Sequence, residues 1–244
     1  MFQEIKPGLL QSSIFSPDRI MHGFSLRALG DMRAVAARKR VKRLLDADTY
    51  RLIAVEQVHS SNVHEAQESD FGKTVMGNDG LVLHQRRLST RGLVMTIAAD
   101  CVLVLLADEQ KGIVGCFHAG WRGTLEQIAA KTVNLMRADG AQAENIKVAI
   151  GPSICPRCYE VSPDHARTFQ RMFGTDVVEK KKSKWYVDLA LANAMELKRT
   201  GVRSRNIDTC TTCTFENPQL FSWRRERQRL SGEHVAMIGF RIKP

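Results

Sequence analysis

Three neighbouring apolar segments restrict the fold of this chain more than any other feature of its sequence. Residues 93–98, 102–107 and 112–118 are almost uninterrupted runs of apolar side chains, and each is short enough for a β-strand. Alternate side chains of a strand point to opposite faces of the sheet, so a strand that is apolar throughout has both faces covered. The three segments therefore predict strands that lie buried between other layers.

Further strands are predicted at residues 51–58, 80–83, 146–150 and 234–240. Helices are predicted at residues 31–46, 124–138 and 188–199, and Pro163 begins another after Ser162. Thr124 and Gln127 have the spacing of a capping box, and Gly140 is the expected stop of that helix. Strands and helices mix without strict alternation, so we expect an α/β (α+β) fold with mixed sheets. The 244 residues suffice for one large core, and we expect a single domain over residues 1–244.

The net charge of +10 favours an anionic ligand. No recognised nucleic-acid-binding motif occurs in the sequence, so we expect no nucleic-acid partner. A phosphate-bearing or nucleoside-type substrate suits the basic residues that lie near the motifs described below.

The N-terminus and the cysteines indicate a cytoplasmic protein. Residues 1–15 lack the basic region and apolar core of a signal peptide. No apolar run approaches the roughly 18 residues that cross a bilayer, so we expect no membrane association. In a reducing compartment the six cysteines are expected to be metal ligands, a catalytic thiol or buried small side chains, and not disulfides.

Two histidines and a cysteine at strand ends have the chemistry of a metal site. His59, Cys101 and His118 each follow or close an apolar strand, so all three are able to face one crevice. A thiolate and two imidazoles suit zinc and also copper, and a catalytic zinc keeps three protein ligands and one open position. Asp100, beside Cys101, is a candidate for orienting a ligand or for acid/base catalysis. The alternative for each residue alone is a buried structural role.

The segment Gly120-Trp121-Arg122-Gly123-Thr124 predicts an anion site. Its glycines allow a close approach of the backbone to a ligand, and the helix after it offers free amides. Arg122 is able to make a bidentate contact with phosphate, and Trp121 is able to stack on a purine or a phenol. The alternative is a structural turn with Trp121 in the core.

Two C-x-x-C units resemble the halves of a structural zinc site. They consist of Cys155 with Cys158 and of Cys210 with Cys213, and they are separated by a longer segment than in a compact zinc ribbon. The alternative is two separate pairs of thiols.

Together, these segments resemble the YfiH-like family, also called the polyphenol oxidase or laccase-domain family and now regarded as purine nucleoside phosphorylases. The string around His118 together with the upstream Ala-Asp-Cys is the most specific part of the match. The matching segments are His22-Gly23-Phe24-Ser25, Gln57-Val58-His59, Asn78-Asp79-Gly80, Ala99-Asp100-Cys101, His118-Ala119-Gly120-Trp121-Arg122-Gly123, Gly151-Pro152-Ser153-Ile154, Cys158-Tyr159-Glu160-Val161, Asp188-Leu189, Cys213-Thr214 and Phe221-Ser222-Trp223-Arg224-Arg225.

The resemblance implies a layered α/β sandwich similar to the catalytic domain of cytotoxic necrotizing factor. It implies that His59, Cys101 and His118 bind zinc, with copper as the metal of older assignments. The implied activity is phosphorolysis of adenosine, inosine, guanosine and methylthioadenosine, with adenosine deamination as a side activity. Purine nucleosides and phosphate are then the partners, and we expect a monomer or a homodimer.

Within this resemblance we assign roles to individual residues. The residues expected to be catalytic are Asp100, Cys101, His118 and Arg122. The residues expected to bind substrate are Arg27, Gln57, Asp79, Trp121, Glu160 and Arg224.

Two segments depart from the family pattern. Residues 26–30 replace a Thr-Arg pair and a Gly-Gly-Val-Ser loop, and this loop is shortened. Ser231-Gly232-Glu233 stands where the family has Thr-Gly-Arg, and the missing arginine predicts weaker anion binding.

Three other functions remain open from the sequence. The first is a copper-dependent phenol oxidase, which the seven scattered histidines disfavour because multicopper laccases need several histidine-rich sites. The second is a cysteine hydrolase in cell-wall precursor editing, with Cys101 as nucleophile and His118 as base. The third is a non-catalytic editing or scaffold protein with a structural zinc.

Overall fold

The chain forms a mixed α/β structure in which strands and helices alternate irregularly. The structure is a computed structural model that describes residues 1–241. Its strands are β1 (Phe2–Lys6), β2 (Leu9–Ser12), β3 (Ile20–Ser25), β4 (Arg51–Val55), β5 (Val63–Glu65), β6 (Thr74–Val75), β7 (Gly80–His84), β8 (Gly92–Ala98), β9 (Val102–Asp108), β10 (Ile113–Ala119), β11 (Lys147–Ile150), β12 (Glu160–Val161), β13 (Val178–Lys181), β14 (Lys184–Val187), β15 (Ile207–Thr209) and β16 (His234–Phe240). Its α-helices are α1 (Val35–Leu44), α2 (Trp121–Leu125), α3 (Ile128–Ala138), α4 (Pro163–Phe173), α5 (Leu189–Arg199) and α6 (Trp223–Glu226).

The strands within residues 1–241 assemble into three sheets. The first sheet has the order β1-β2-β3-β16-β8-β4-β6, and the second has the order β15-β11-β9-β10-β7-β5. Both sheets are mixed. In the first sheet β4 is parallel to its neighbours β8 and β6. In the second sheet β15 is parallel to β11, and β5 is parallel to β7. The small third sheet, β12-β14-β13, is antiparallel.

The first and second sheets pack face to face, with helices on their outer faces. Strand β9 shows the arrangement, because Leu103 and Leu105 pack into the core between the sheets while Val104 and Leu106 pack beneath α3 and α5. Helix α1 covers the outer face of the first sheet through Val41. Each fully buried aliphatic side chain contributes about 1.5–3 kcal/mol to stability. The expectation of a layered sandwich with buried strands is therefore confirmed.

The predicted strands all occur, and their ends differ by a few residues. The strand predicted at residues 51–58 is the clearest difference, because β4 ends at Val55. Beyond it the chain leaves the first sheet, and the backbone amides of Val58, His59 and Ser60 donate to the carboxylate of Asp79 instead of to a neighbouring strand.

The helices starting at Pro163 and Leu189 are confirmed, but the capping box at Thr124 is wrong. The helix predicted at residues 124–138 is two helices, α2 and α3, which are separated by Gln127 in the left-handed conformation with φ of 63°. The Thr124 hydroxyl donates to the carbonyl of Gly120, so Thr124 lies inside α2 and caps nothing. The helix predicted at residues 31–46 is shorter, because α1 begins only at Val35.

Two connections between the first and second sheets carry residues of the candidate site. The turn between β8 and β9 and the segment between β4 and β5 both lead from the first sheet to the second. Both connections and the last residues of β10 meet at one edge of the sandwich. Among the helices of residues 1–241, we find none with the length and apolar character needed to cross a membrane.

Candidate metal centre and cavity

The three residues predicted as metal ligands meet at this edge. Cys101 lies in the turn between β8 and β9, and His59 lies in the segment between β4 and β5. His118 is the last residue but one of β10. Two residues of these turns have positive φ, 58° at His59 and 96° at Asp100, a costly conformation for residues other than glycine. Such strain is concentrated at functional sites.

The donor atoms of His59, Cys101 and His118 lie within 4.8 Å of one another. The two imidazole rings are perpendicular, with centroids 4.9 Å apart. Ligands about 2.0–2.3 Å from a tetrahedral zinc lie about 3.3–3.8 Å from one another, so small side-chain rotations complete the site. A Cβ at Gly120 would come within 3.2 Å of both the Cys101 sulfur and the His59 ring, so a side chain here would crowd both proposed ligands.

Asp79 orients both histidines and is not exposed to a substrate. Its Oδ1 accepts from His118 Nδ1 at 2.9 Å and from the backbone amide of His59 at 3.1 Å. Its Oδ2 accepts from the amide and the hydroxyl of Ser60 at 2.7 and 2.8 Å. The Asp79 carboxylate is buried and fully engaged, which favours an orienting role; its predicted contact with substrate stays a prediction. Bonding at Nδ1 leaves His118 Nε2 for a metal, as in carboxylate–histidine–zinc arrangements.

The thiol and imidazole of this cluster favour their charged forms in each other's presence. Burial raises the pKa of Cys101, but the adjacent His118 and the hydrogen bonds from both histidines lower it to about 7. Burial lowers the pKa of His118, but Cys101 and Asp79 raise it to about 9. A thiolate is the form of cysteine that binds metals and attacks carbonyl carbons, so the cluster suits either chemistry.

A cavity of about 830 Å³ opens over the three proposed ligands. Its size is within the range of small-molecule sites, about 300–1,000 Å³. The predicted site residues that line it are Gln57, His59, Asp100, Cys101, His118, Trp121, Glu160 and Arg224.

Arg27 and Arg122 are not among the residues that line this cavity. The Arg27 guanidinium is paired with Glu226 and donates to the carbonyl of Leu220, so it fastens the loop before α6. Arg122 is exposed on the outer side of Trp121, with its guanidinium 5.0 Å from the centre of the Trp121 ring. The structure does not bring Arg27 and Arg122 to the cavity with the other site residues, and their predicted roles in substrate binding and catalysis stay predictions.

Asp100 and Gln57 are engaged with neighbouring loops. The two oxygens of Asp100 accept from the hydroxyl of Thr214 and from the amide of Arg224, both at 2.6 Å. The side-chain amide of Gln57 pairs with the backbone of Ile97 at 2.6 and 2.8 Å. These bonds favour positioning roles, because they hold the Cys101 turn against the loops that close the cavity.

Arg33, His165 and Glu233 line the cavity but were not predicted as site residues. Arg33 comes from the segment before α1 and lies near Glu233, which stands at the position of the missing arginine. His165, in α4, packs its ring against Trp121 with centroids 4.3 Å apart. Burial raises the pKa of Glu233, and Arg33 opposes this effect. Of these three residues, only Glu233 stood out in the sequence, because it stands where the family has an arginine.

Glu160 and Arg224 lie at the rim with partners of their own. The Glu160 carboxylate pairs with Lys184 at 2.7 Å. The Arg224 guanidinium donates to the carbonyls of Cys158 and Glu160 and lies 5.3 Å from the centre of the Tyr159 ring. Both residues nevertheless line the cavity.

The C-x-x-C units meet only in part. Cys155, Cys158 and Cys213 lie together with Glu216, with donor atoms within 4.8 Å of one another. Cys210 is not part of this cluster, and its amide continues the β15–β11 pairing by donating to the carbonyl of Ile150. The structure thus brings together three of the four cysteines, with Glu216 beside them, and the predicted four-cysteine metal site stays a prediction.

A family model described as multi-copper polyphenol oxidoreductase laccase matches residues 24–241. The "Crystal structure of YlmD from Geobacillus stearothermophilus" superposes with a TM-score of 0.87 at 28% identity, covering 99% of both chains. Strand order and layering in this chain are thus those of a known fold.

Two curated relatives carry names of nucleoside chemistry. A purine nucleoside phosphorylase of Deinococcus radiodurans is 35% identical over 186 residues, which cover 76% of this chain and 68% of the relative. Adenosine deaminase RL5, from an unknown prokaryotic organism, is 34% identical over 204 residues, which cover 80% of this chain and 77% of the relative.

Proposed function

We propose that this chain, which belongs to the multi-copper polyphenol oxidoreductase laccase family, also called YfiH-like, is a zinc-dependent purine nucleoside phosphorylase that also deaminates adenosine. The observation that carries the proposal is the cluster of His59, Cys101 and His118 in the wall of a cavity of nucleoside size. The names of the relatives support the reaction class. In this proposal residues 1–244 act as one catalytic domain.

The donor set fits zinc. One thiolate and two imidazoles are ligands that zinc prefers, and Asp79 holds the His118 ring with Nε2 free. When bound, zinc supplies a Lewis acid that polarises an oxygen or lowers the pKa of water. His59 is exposed toward solvent, which leaves access for a substrate on that side.

The cavity residues supply binding for the other parts of a nucleoside and for phosphate. Trp121, braced by His165, offers an aromatic face for the purine. The guanidinium groups of Arg33 and Arg224 are the cations of the wall that suit phosphate. A phosphate oxygen attacks C1′ of the ribose, the bond from C1′ to the purine nitrogen breaks, and its electron pair leaves with the base, which takes up a proton. The products are ribose 1-phosphate and the free purine.

The direct test is base release from adenosine, inosine, guanosine and methylthioadenosine with and without phosphate. Release that requires phosphate and yields ribose 1-phosphate supports phosphorolysis. Ammonia release from adenosine in the same preparation supports the deaminase activity. Release of base that is equally fast without phosphate would instead indicate hydrolysis.

Glu233 is expected to weaken phosphate binding. Its carboxylate lines the cavity close to Arg33, at the position of the missing arginine. Glu233→Gln removes a like charge, and about 1 kcal/mol of repulsion corresponds to about a fivefold lower KM for phosphate. We expect kcat to stay close to the wild-type value. A KM for phosphate that is unchanged or higher contradicts this placement of phosphate, and the KM for inosine is the internal control.

A cysteine hydrolase is the second candidate, because the pKa of Cys101 is lowered by His118 as in a nucleophile–base pair. The two proposals differ in the role of His59, which only the metal proposal requires. Turnover that persists after metal removal and in His59→Ala, yet is lost on thiol alkylation, would support the hydrolase.

Copper-dependent phenol oxidation has less support. Within residues 1–241, the second cluster of potential metal ligands contains no histidine. Multicopper oxidation needs several histidine-rich copper sites, so this second cluster does not supply the expected ligands. If the copper-loaded protein oxidises a phenol faster than it cleaves inosine, phenol oxidation becomes the better supported function.

A further inference from the structure

A second cluster of soft ligands lies outside the proposed catalytic site. Cys155 and Cys158 follow β11, and Cys213 and Glu216 follow β15. One sulfur or oxygen atom from each of the four residues lies within 4.8 Å of the other three. Four ligands of a tetrahedral zinc are about 3.3–3.8 Å apart, so the cluster needs only small rotations to surround one ion.

Hydrogen bonds of the backbone hold the cysteines of the cluster close together. The carbonyl of Cys155 accepts from the amides of Cys158 and Tyr159, which forms a tight turn that brings both thiols of this C-x-x-C unit to one side. The amide of Cys155 donates to the sulfur of Cys213 at 3.3 Å. An amide that donates to a cysteine sulfur fixes the direction of that side chain, as outer hydrogen bonds do for metal ligands.

Three arginines lie near the cluster, and their positive charge offsets the negative charge of three thiolates and a carboxylate. Arg157 pairs with the Glu216 carboxylate through both of its oxygens, at 2.9 and 3.2 Å. Arg224 donates to the carbonyl of Cys158, and Arg225 donates to the carbonyls of Thr214 and Phe215. Three thiolates and a carboxylate around a divalent cation leave a net negative charge, which these guanidinium groups complement.

We infer that Cys155, Cys158, Cys213 and Glu216 bind a structural Zn²⁺ ion that clamps the two loops closing the cavity. All four positions would be protein ligands, as in structural sites, so this ion is not catalytic. One loop leads from Cys158 into Tyr159 and Glu160 of the cavity wall. The other carries Thr214, whose hydroxyl holds Asp100 beside Cys101. The clamp therefore positions the turn of the proposed catalytic metal.

Metal counting with matched variants tests the inference. Wild-type protein purified with zinc is expected to hold about two zinc ions per chain by native mass spectrometry. Cys158→Ser is expected to retain one ion, and Cys210→Ser both, since Cys210 lies outside the cluster. Equal zinc content in wild type and Cys158→Ser overturns the inference, whereas a single wild-type ion that Cys158→Ser loses overturns only the proposed catalytic zinc. Equal loss in Cys158→Ser and Cys210→Ser overturns this ligand set in favour of four cysteines.

A spectroscopic measurement keeps the inference testable if Cys158→Ser does not fold. In His118→Ala the catalytic set is broken, so added Co²⁺ is expected to occupy the second cluster and to give the intense thiolate-to-cobalt absorption of three sulfur ligands. Glu216→Gln in the same background is expected to retain that absorption and to lose cobalt faster to a chelator. Absence of the absorption under reducing conditions, or an intact mass showing two hydrogens lost to a disulfide among these cysteines, overturns the inference.

Discussion

His118→Ala is expected to remove metal binding at the proposed catalytic site and nucleoside turnover together. His118 Nε2 is the donor that Asp79 leaves free, and the residue is buried at the end of β10, where the short alanine side chain presents no ligand. Loss of several kcal/mol of transition-state stabilisation lowers kcat/KM by about 10³-fold or more. Metal content by native mass spectrometry and phosphate-dependent base release are measured on the same preparation.

His64→Ala is the matched control for this prediction. His64 also pairs with a carboxylate, Asp70, at 2.8 Å, but it lies on β5 and is not among the residues lining the cavity. We expect it to keep wild-type metal content and turnover. Full turnover by His118→Ala that lacks the ion of the proposed catalytic site would remove that metal from the proposed mechanism, whereas loss of folding is recognised by circular dichroism.

The buried strands and the grouping of His59, Cys101 and His118 were predictable because their signals are local. An apolar run such as residues 102–107 predicts a covered strand regardless of its partners, and β9 is confirmed with both faces in the core. The three proposed ligands each follow or end such a strand. The three residues lie close together because the strands that precede or contain them end at the same edge of the two sheets, where the chain passes from one sheet to the other. The candidate site could therefore be inferred from the sequence.

The roles of polar residues could not be predicted in the same way, because they depend on partners distant in the sequence. Asp79 resembles a substrate contact in the motif, yet its partners are His118 and the amides around His59. Arg33 enters the cavity from a segment without a motif. Cys210 shares a C-x-x-C unit with Cys213, but its amide continues the pairing of β15 with β11, and Cys210 lies outside the cluster of Cys155, Cys158 and Cys213.

Asp79→Asn is expected to weaken zinc binding without removing any proposed ligand. Oδ1 of Asp79 accepts from the His118 ring, and Oδ2 accepts from the amide of Ser60. The asparagine side chain has an oxygen, which accepts hydrogen bonds, and an NH₂ group, which only donates them. In either orientation of the amide, the NH₂ group therefore faces an N–H donor. Loss of such an orienting carboxylate lowers metal affinity by about 10–100-fold, and turnover at limiting zinc is expected to fall in parallel.

Asp108→Asn separates this effect from a loss of stability. Asp108 is equally buried and accepts from the backbone amides of Gln110, Lys111 and Gln142, but no histidine is among its partners. Both variants bury a misplaced NH₂ group, which costs about 1–3 kcal/mol of unfolding free energy. Only Asp79→Asn is expected to shift the zinc titration of the folded protein. Equal zinc affinities in the two variants would reduce Asp79 to a structural residue, because a carboxylate that orients both histidines has to change the affinity when it is neutralised.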